Sequence, residues 1–250
     1  MAKERVDKLL VDRGLAETRE RAQRLVMAGL VFSGDVAVDK PGTRLAIDAP
    51  LDVRGEPHPF VSRGGAKLDA ALTAFAIDVT DLVALDVGAS TGGFTDCLLR
   101  RGARRVYAVD VGYGQLAWKL REDRRVVSLE RTNVRELDPA RIPEPIDLAT
   151  IDASFISLRL VLPAVQRLVP PSRTIVALVK PQFEVGRGKV GKGGVVRDPA
   201  LHDAVLDELE AFARAASLDV RARHPSPLVG PAGNREFFLV VETREASPLP

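Results

Sequence analysis

From Val61 onward, short runs of apolar, often β-branched residues alternate with stretches whose apolar positions recur every three or four residues. The runs are Leu82–Val87, Arg105–Asp110, Val126–Glu130, Leu148–Asp152, Thr174–Lys180, Leu218–Arg223 and Glu236–Glu242, each of strand length. Between them, helical spacing predicts helices near Lys67–Phe75, Phe94–Arg101, Leu158–Leu168 and Pro199–Ala216. Strands interleaved with helices predict an α/β domain, a Rossmann-like, doubly wound sheet of seven strands.

Residues 1–55 read differently. Val6, Leu9 and Leu10 form one helical apolar face that ends near Gly14, and Thr18 is placed to cap a second helix with Ala22, Leu25 and Val26 inward and Gly29 as its stop. At about 100° per residue, Arg21 and Arg24 share the opposite face. Leu30 to Val38 reads as two short strands around a Ser33-Gly34-Asp35 turn. The expected organisation is a small α+β module over 1–55, a linker over 56–62 stiffened by Pro57 and Pro59, and the α/β domain over 63–245. Arginines on a helix beside a small hairpin sheet suit helical RNA, and equally a plain solvated face.

Composition narrows the class. Of 250 residues, 46% are hydrophobic and 28% charged, which is ordinary for a globular chain, and a net charge of +2 is too small to establish a polyanionic partner. Cys97 is the single cysteine, so an intrachain disulfide and cysteine-cluster zinc sites are excluded. No metal is expected. The charged N-terminus lacks the apolar segment of a signal peptide, and no apolar run approaches the roughly 18 residues of a membrane span. These features predict a cytoplasmic protein without a membrane partner; oligomeric state is not legible.

The junction Val83–Phe94 is where ligand chemistry enters. A buried strand runs into a turn with Gly88, Gly92 and Gly93, where the absence of side chains would let a ligand approach backbone, and a helix follows. The next strand ends on Asp110, 24 residues after Asp86, close to the roughly 20-residue offset at which a carboxylate holds ribose hydroxyls. Yet Ala89 and Ser90 follow Gly88, so the dinucleotide pattern fails at its second glycine, and Asp86 would repel phosphate. S-adenosylmethionine, cationic and free of phosphate, fits better. Its expected contacts are Asp86, Gly88, Ala89, Ser90, Thr91, Gly92, Gly93, Phe94 and Asp110, with Asn133 either reaching adenine or serving as a turn residue.

Four further polar residues fall where packing alone has little use for them: Lys67, Asp152, Lys180 and Glu236. Asp152 and Lys180 end apolar strands and so emerge at the carboxyl edge of the sheet, where open α/β sheets bind ligands. Glu236 begins its strand, and reaches the same edge if that strand runs antiparallel. Lys67 follows Ser62-Arg-Gly-Gly on a helix that must pack beside the first strand.

Two resemblances carry these observations further. Arg5-Val-Asp-Lys-Leu-Leu, Thr18-Arg-Glu-Arg-Ala-Gln-Arg-Leu-Val and Gly29-Leu-Val-Phe-Ser-Gly-Asp-Val resemble the ribosomal-protein-S4-like RNA-binding domain. The Lys67, Asp152, Lys180, Glu236 set looks like the tetrad of FtsJ-like 2′-O-ribose methyltransferases. Both together, with Ser62-Arg-Gly-Gly-Ala-Lys-Leu, Ile151-Asp-Ala-Ser-Phe-Ile-Ser, Val179-Lys-Pro-Gln-Phe-Glu and Gly233-Asn-Arg-Glu-Phe, resemble the TlyA (hemolysin A) family of ribosomal RNA methyltransferases across almost the whole chain.

The resemblance implies S-adenosylmethionine-dependent methylation of cytidine 2′-hydroxyls in 16S and/or 23S ribosomal RNA. It also implies that the four residues are catalytic. Lys180 would deprotonate or orient the hydroxyl, Asp152 would position Lys180, and Lys67 and Glu236 would complete the network. Candidate RNA contacts are Arg5, Lys8, Arg19, Arg21, Arg24 and Arg63, together with Arg187, Lys189 and Lys192 in a glycine-rich loop that would order on phosphate or else stay a solvated connection. Competing readings are an RNA-binding ribosome assembly factor without methyl transfer, and the membrane-active hemolysin of the family's older name.

Overall fold

A computed structural model describes residues 2–34, 36–54, 59–186, 188–230 and 233–244, with nothing to be said of the Lys192 side chain. The N-terminal part opens with β1 (Lys3–Arg5), α1 (Val6–Asp12) and α2 (Arg19–Met27). It continues through β2 (Val31–Ser33), β3 (Val36–Ala37), β4 (Arg44–Ala46) and β5 (Asp52–Val53). Thr18 caps α2 as its position predicts, its Oγ1 accepting from Arg21 N at 3.1 Å. Val6, Leu9, Leu10, Ala22, Leu25, Val26 and Val31 close a core of their own. The hairpin of β2 and β3 is present, but β1, β4 and β5 escape the pattern reading because two or three residues carry no periodicity.

The second part runs α3 (Arg63–Ala74), β6 (Val83–Val87), α4 (Gly93–Arg100), β7 (Arg105–Val109), α5 (Trp118–Arg121), β8 (Val126–Leu129) and β9 (Leu148–Ile151). It ends with α6 (Leu158–Gln166), β10 (Thr174–Val179), α7 (Pro199–Ala215), β11 (Leu218–Pro225) and β12 (Phe237–Thr243). All seven strands join one sheet in the order β11-β12-β10-β9-β6-β7-β8. β12 is antiparallel to both neighbours, while β10, β9, β6, β7 and β8 pair in parallel. This is the expected fold class.

Alternation along the central strands assigns the two faces. Leu85, Val87, Ala149, Ile151, Ile175 and Ala177 meet Leu162 and Val165 of α6 and Leu206 and Leu209 of α7. Ala84, Val106, Leu148, Val176, Leu178 and Phe238 meet Leu68 and Leu72 of α3 and Phe94 and Leu98 of α4. Strands buried on both faces need no polar side, which is why β6 reads as a continuous apolar run broken only by Asp86. Chain order reverses between β6 and β9, so the loops after those strands diverge and leave a crevice. Among the described residues no helix is long and apolar enough to cross a membrane.

Candidate active site

Four charged side chains meet at that crevice as two ion pairs. Lys67, on the first turns of α3, is buried and pairs with Glu236. Glu236 lies one residue before β12, and the Val179–Phe237 register places it beside the end of β10, where Lys180 follows. Lys180 Nζ lies 2.5 Å from Asp152 Oδ1 and donates to Ser154 Oγ at 2.7 Å. The Asp152 contact lacks hydrogen-bond alignment, so it is an ion pair rather than a directed bond. The antiparallel course of β12 is what brings Glu236 to the carboxyl edge.

The two pairs differ in water access. Lys67 and Glu236 side chains are 5% and 1% exposed, whereas Asp152 is 24% exposed and Lys180 11%. Arg63, at the N-terminus of α3, stands in the field of Glu236 and Asp152 and lays its stem against Gly29 of the N-terminal part. Burial lowers its pKa from the ordinary arginine value, with Glu236, Asp39 and Asp152 opposing that shift. Its Nη2 is buried without a hydrogen-bond partner among the described residues.

The glycine turn has a different logic from the one read in the sequence. A Cβ on Gly88 would lie 2.6 Å from the Asp152 carbonyl, so this glycine lets the ends of β6 and β9 touch. Side chains on Gly92 and Gly93 would collide with Leu120 of α5 and with Ser62 ahead of α3. Chain packing therefore requires these glycines, and Gly88 stays partly exposed. Phe94 faces the core, stacked with Phe238 at 6.3 Å between centroids. Asp86 is fully buried, accepting from Thr95 Oγ1 at 2.6 Å and Thr150 Oγ1 at 3.3 Å. Burial pushes its carboxyl up to about 7. It lies beneath the turn and does not reach the crevice.

What remains open is compact. Ser90 is exposed at φ 48, Ala89 and Thr91 flank it, and Asp110 is held by Ser90 N at 2.8 Å and Gly112 N at 2.6 Å. Ala89, Ser90, Asp110, Leu116, Ser128 and Glu130 border a tight crease here, too narrow for a water. Asp110 is thus pre-positioned, and each oxygen keeps a lone pair for a ligand hydroxyl. Val111, exposed beside it, offers an apolar surface. Ser62 and Gly65 pack against Gly93 at the start of α4. Asn133 takes the turn role: its Oδ1 caps a 3-10 turn through Arg135 N at 3.1 Å, and its amide donates to Glu136.

The basic candidates separate in the same way. Arg5 and Arg19 both bind the buried Asp7, Arg5 through two bonds of 2.9 and 2.8 Å and Arg19 at 3.1 Å, with Gln23 adding a third donor. These bonds, Arg5 first, hold the Asp7 carboxyl well below the usual range. They pin α1 to α2, so both arginines have a structural task that helical spacing alone did not reveal. Lys8 pairs with Glu4 on an exposed turn. Arg24 is exposed and Arg21 half-buried, and neither makes an ion pair among the described residues. Lys189 is exposed, and Arg187 lies outside the described residues.

Two residues that pattern reading passed over stand beside the tetrad. Phe155 is 89% exposed at φ 64, three residues past Asp152, with its ring 5.0 Å from that of Phe183. An aromatic side chain held in water on a strained backbone is a signature of a binding surface. Its signal in the sequence is an aromatic three residues after a strand-end carboxylate. Asn234 is buried and clamps the loop that precedes α7. An asparagine after glycine reads as an ordinary turn, which hid it.

Comparison with known proteins matches the FtsJ-like methyltransferase family over residues 60–243 and the S4 domain over residues 4–49. A Bacillus subtilis protein named as an rRNA methyltransferase, YqxC, is 52% identical over 99% of this chain and 90% of its own length. The Mycobacterium tuberculosis 16S/23S rRNA (cytidine-2′-O)-methyltransferase TlyA is 51% identical over 96% of this chain and 90% of its own. A solved structure of a hemolysin-named protein from Streptococcus thermophilus superposes with a TM-score of 0.78 at 47% identity, covering 98% of this chain and 90% of that one.

Proposed function

Because the chain belongs to the FtsJ-like methyltransferase family and carries an S4 domain ahead of it, we propose that it methylates ribose 2′-hydroxyls of ribosomal RNA, at cytidines of the 16S or 23S molecule or both. The observation that carries this reading is the pairing of Lys67 with Glu236 and of Lys180 with Asp152 at the reversal point of the sheet. A hydroxyl is a weak nucleophile, and its oxygen must be held in line while its proton departs. Lys180 sits at the more open pair and holds that oxygen. As the ribose oxygen takes the methyl group, its proton moves to Lys180 Nζ, which gives one up to Asp152, while Ser154 accepts from Nζ and holds it in place. Lys67 and Glu236 form the dry wall behind them, and Phe155 gives the base a face on which to stack.

S-adenosylmethionine, when bound, supplies the electrophilic methyl group. Ser90, with Ala89 and Thr91, would border its amino-acid part, Asp110 its ribose and Val111 its adenine. Arg24, Arg21 and Lys189 supply exposed or partly exposed charge for RNA phosphates. Residues 1–55 would hold RNA, 63–245 would carry out transfer and 56–62 would join them.

The decisive measurement is transfer of labelled methyl to separated ribosomal subunits, followed by mapping of alkali-resistant linkages. Lys180→Ala is expected to lower the rate by about a hundredfold or more while S-adenosylmethionine still binds. Label on a base, or a wild-type rate in that variant, refutes the reading.

A further inference from the structure

The loop between Lys180 and α7 starts and ends on the tetrad's own supports. It leaves Lys180 through a 3-10 turn, Pro181–Phe183, and passes Gly186, Gly188 and Lys189. It returns at Gly194–Val196, where the Asn234 side chain seizes it. Asn234 Oδ1 accepts from Val196 N at 2.9 Å, and its Nδ2 donates to Gly194 O at 2.9 Å. The amide thereby satisfies the backbone on both sides of Val195, as a neighbouring strand would. From the other side His202 of α7 donates Nε2–H to Val196 O at 2.9 Å, since a carbonyl can only accept. Asn234, His202, Val195 and Val196 are all buried.

Between these anchors the turn is closed by its own backbone, Gly191 N donating to Val195 O and Gly194 N to Gly191 O, both at 3.1 Å. Gly193, at φ 78, has nothing within 4 Å of where a Cβ would stand, so this glycine supplies conformational range and not space. A basic, glycine-rich segment loses much entropy when RNA orders it, and any restraint applied beforehand reduces that loss. The clamp sits two residues before Glu236, whose own carboxylate is held independently by Lys67.

We propose that Asn234 is a positioning residue that sets the stance of the 188–196 segment, which it ties to the chain two residues before Glu236, and so governs capture of RNA while leaving methyl transfer to the tetrad. This rests on the methyltransferase reading above. No carboxylate could replace the amide, because only an amide offers a donor and an acceptor on one planar head.

The test compares full-length Asn234→Ala and Asn234→Asp with the unsubstituted protein. Both variants are expected to raise KM for ribosomal subunits about tenfold, the worth of one or two lost hydrogen bonds, with kcat and S-adenosylmethionine affinity within about twofold. Amide hydrogen exchange over 190–196 should accelerate while β10 and β12 stay protected. If the Asn234 variants do not fold, His202→Phe releases the clamp's other side and should move KM in the same direction. A fall in kcat at constant KM, or unchanged exchange in the loop, overturns the proposal. Absence of RNA methylation by the unsubstituted protein would instead refute the functional reading, and exchange alone would then decide the clamp.

Discussion

The Lys67–Glu236 pair and the Lys180–Asp152 pair are built from the same chemical groups at one sheet edge, but the first is shut between α3 and β12 while the second faces the crevice. Removing charges from water costs several kcal/mol per ion, and a closed pair survives only because each partner cancels the other's penalty. A pair at the opening keeps part of its hydration and can exchange partners. The closed pair is therefore architecture, and the open one is where chemistry can occur. A third carboxylate at the same edge, Asp86, has neither a cation nor water, and burial raises it to about 7.

The sharpest way to break this comparison is Lys67→Ala. It leaves Glu236 buried without its ion-pair partner and with only the more distant Arg63 to offset its charge, and a loss of about 3–5 kcal/mol is expected in denaturant unfolding. Lys180→Ala should cost less than half of that, since water can reach Asp152. The double replacement Lys67→Met with Glu236→Leu should recover most of the stability. If Lys67→Ala unfolds at the same denaturant concentration as the unsubstituted protein, the two pairs are equivalent and the division of labour fails.

Asp86 sharpens the contrast through pH. Its carboxyl is raised from an ordinary 3.8 to about 7, so the folded chain holds a proton that the unfolded chain releases. The resulting stability is complete below the unfolded value and is lost as pH rises towards about 7. Asp86→Asn carries no such dependence and can keep the Thr95 and Thr150 hydroxyls as partners. Its stability relative to the unsubstituted protein should climb between pH 5 and 8 by up to a few kcal/mol. A difference that is flat with pH would place water beside Asp86.

Much of this edge was legible in the chain because a strand end fixes a position in space. Asp152, Lys180 and Glu236 fall at strand ends, so finding the strands located them; only the direction of β12 had to be supplied by the fold. Lys67 depended on how a helix packs, which periodicity does not specify. What the sequence left open shares one cause. Whether Phe94, Asp86, Gly92 or Arg5 faces a ligand or the protein's own interior depends on neighbours distant in sequence, such as Leu120 for Gly92 and Thr150 for Asp86. Motif spacing lists residue types at a turn, whereas packing decides which atoms remain for a ligand.

The smallest effect discriminates most finely within the open pair. Ser154 Oγ accepts from Lys180 Nζ at 2.7 Å, and the serine itself is exposed. Ser154→Ala should leave unfolding within about 0.5 kcal/mol, because water replaces the hydroxyl. If Ser154 is only a solvent-side neighbour, methyl transfer is unaffected. If the proton leaving the ribose oxygen passes through Lys180 and the Ser154 hydroxyl to water, the rate falls severalfold at unchanged KM for RNA. Single-turnover transfer at saturating S-adenosylmethionine separates these outcomes, and a rate equal to the unsubstituted protein's assigns the proton's exit to Asp152 alone.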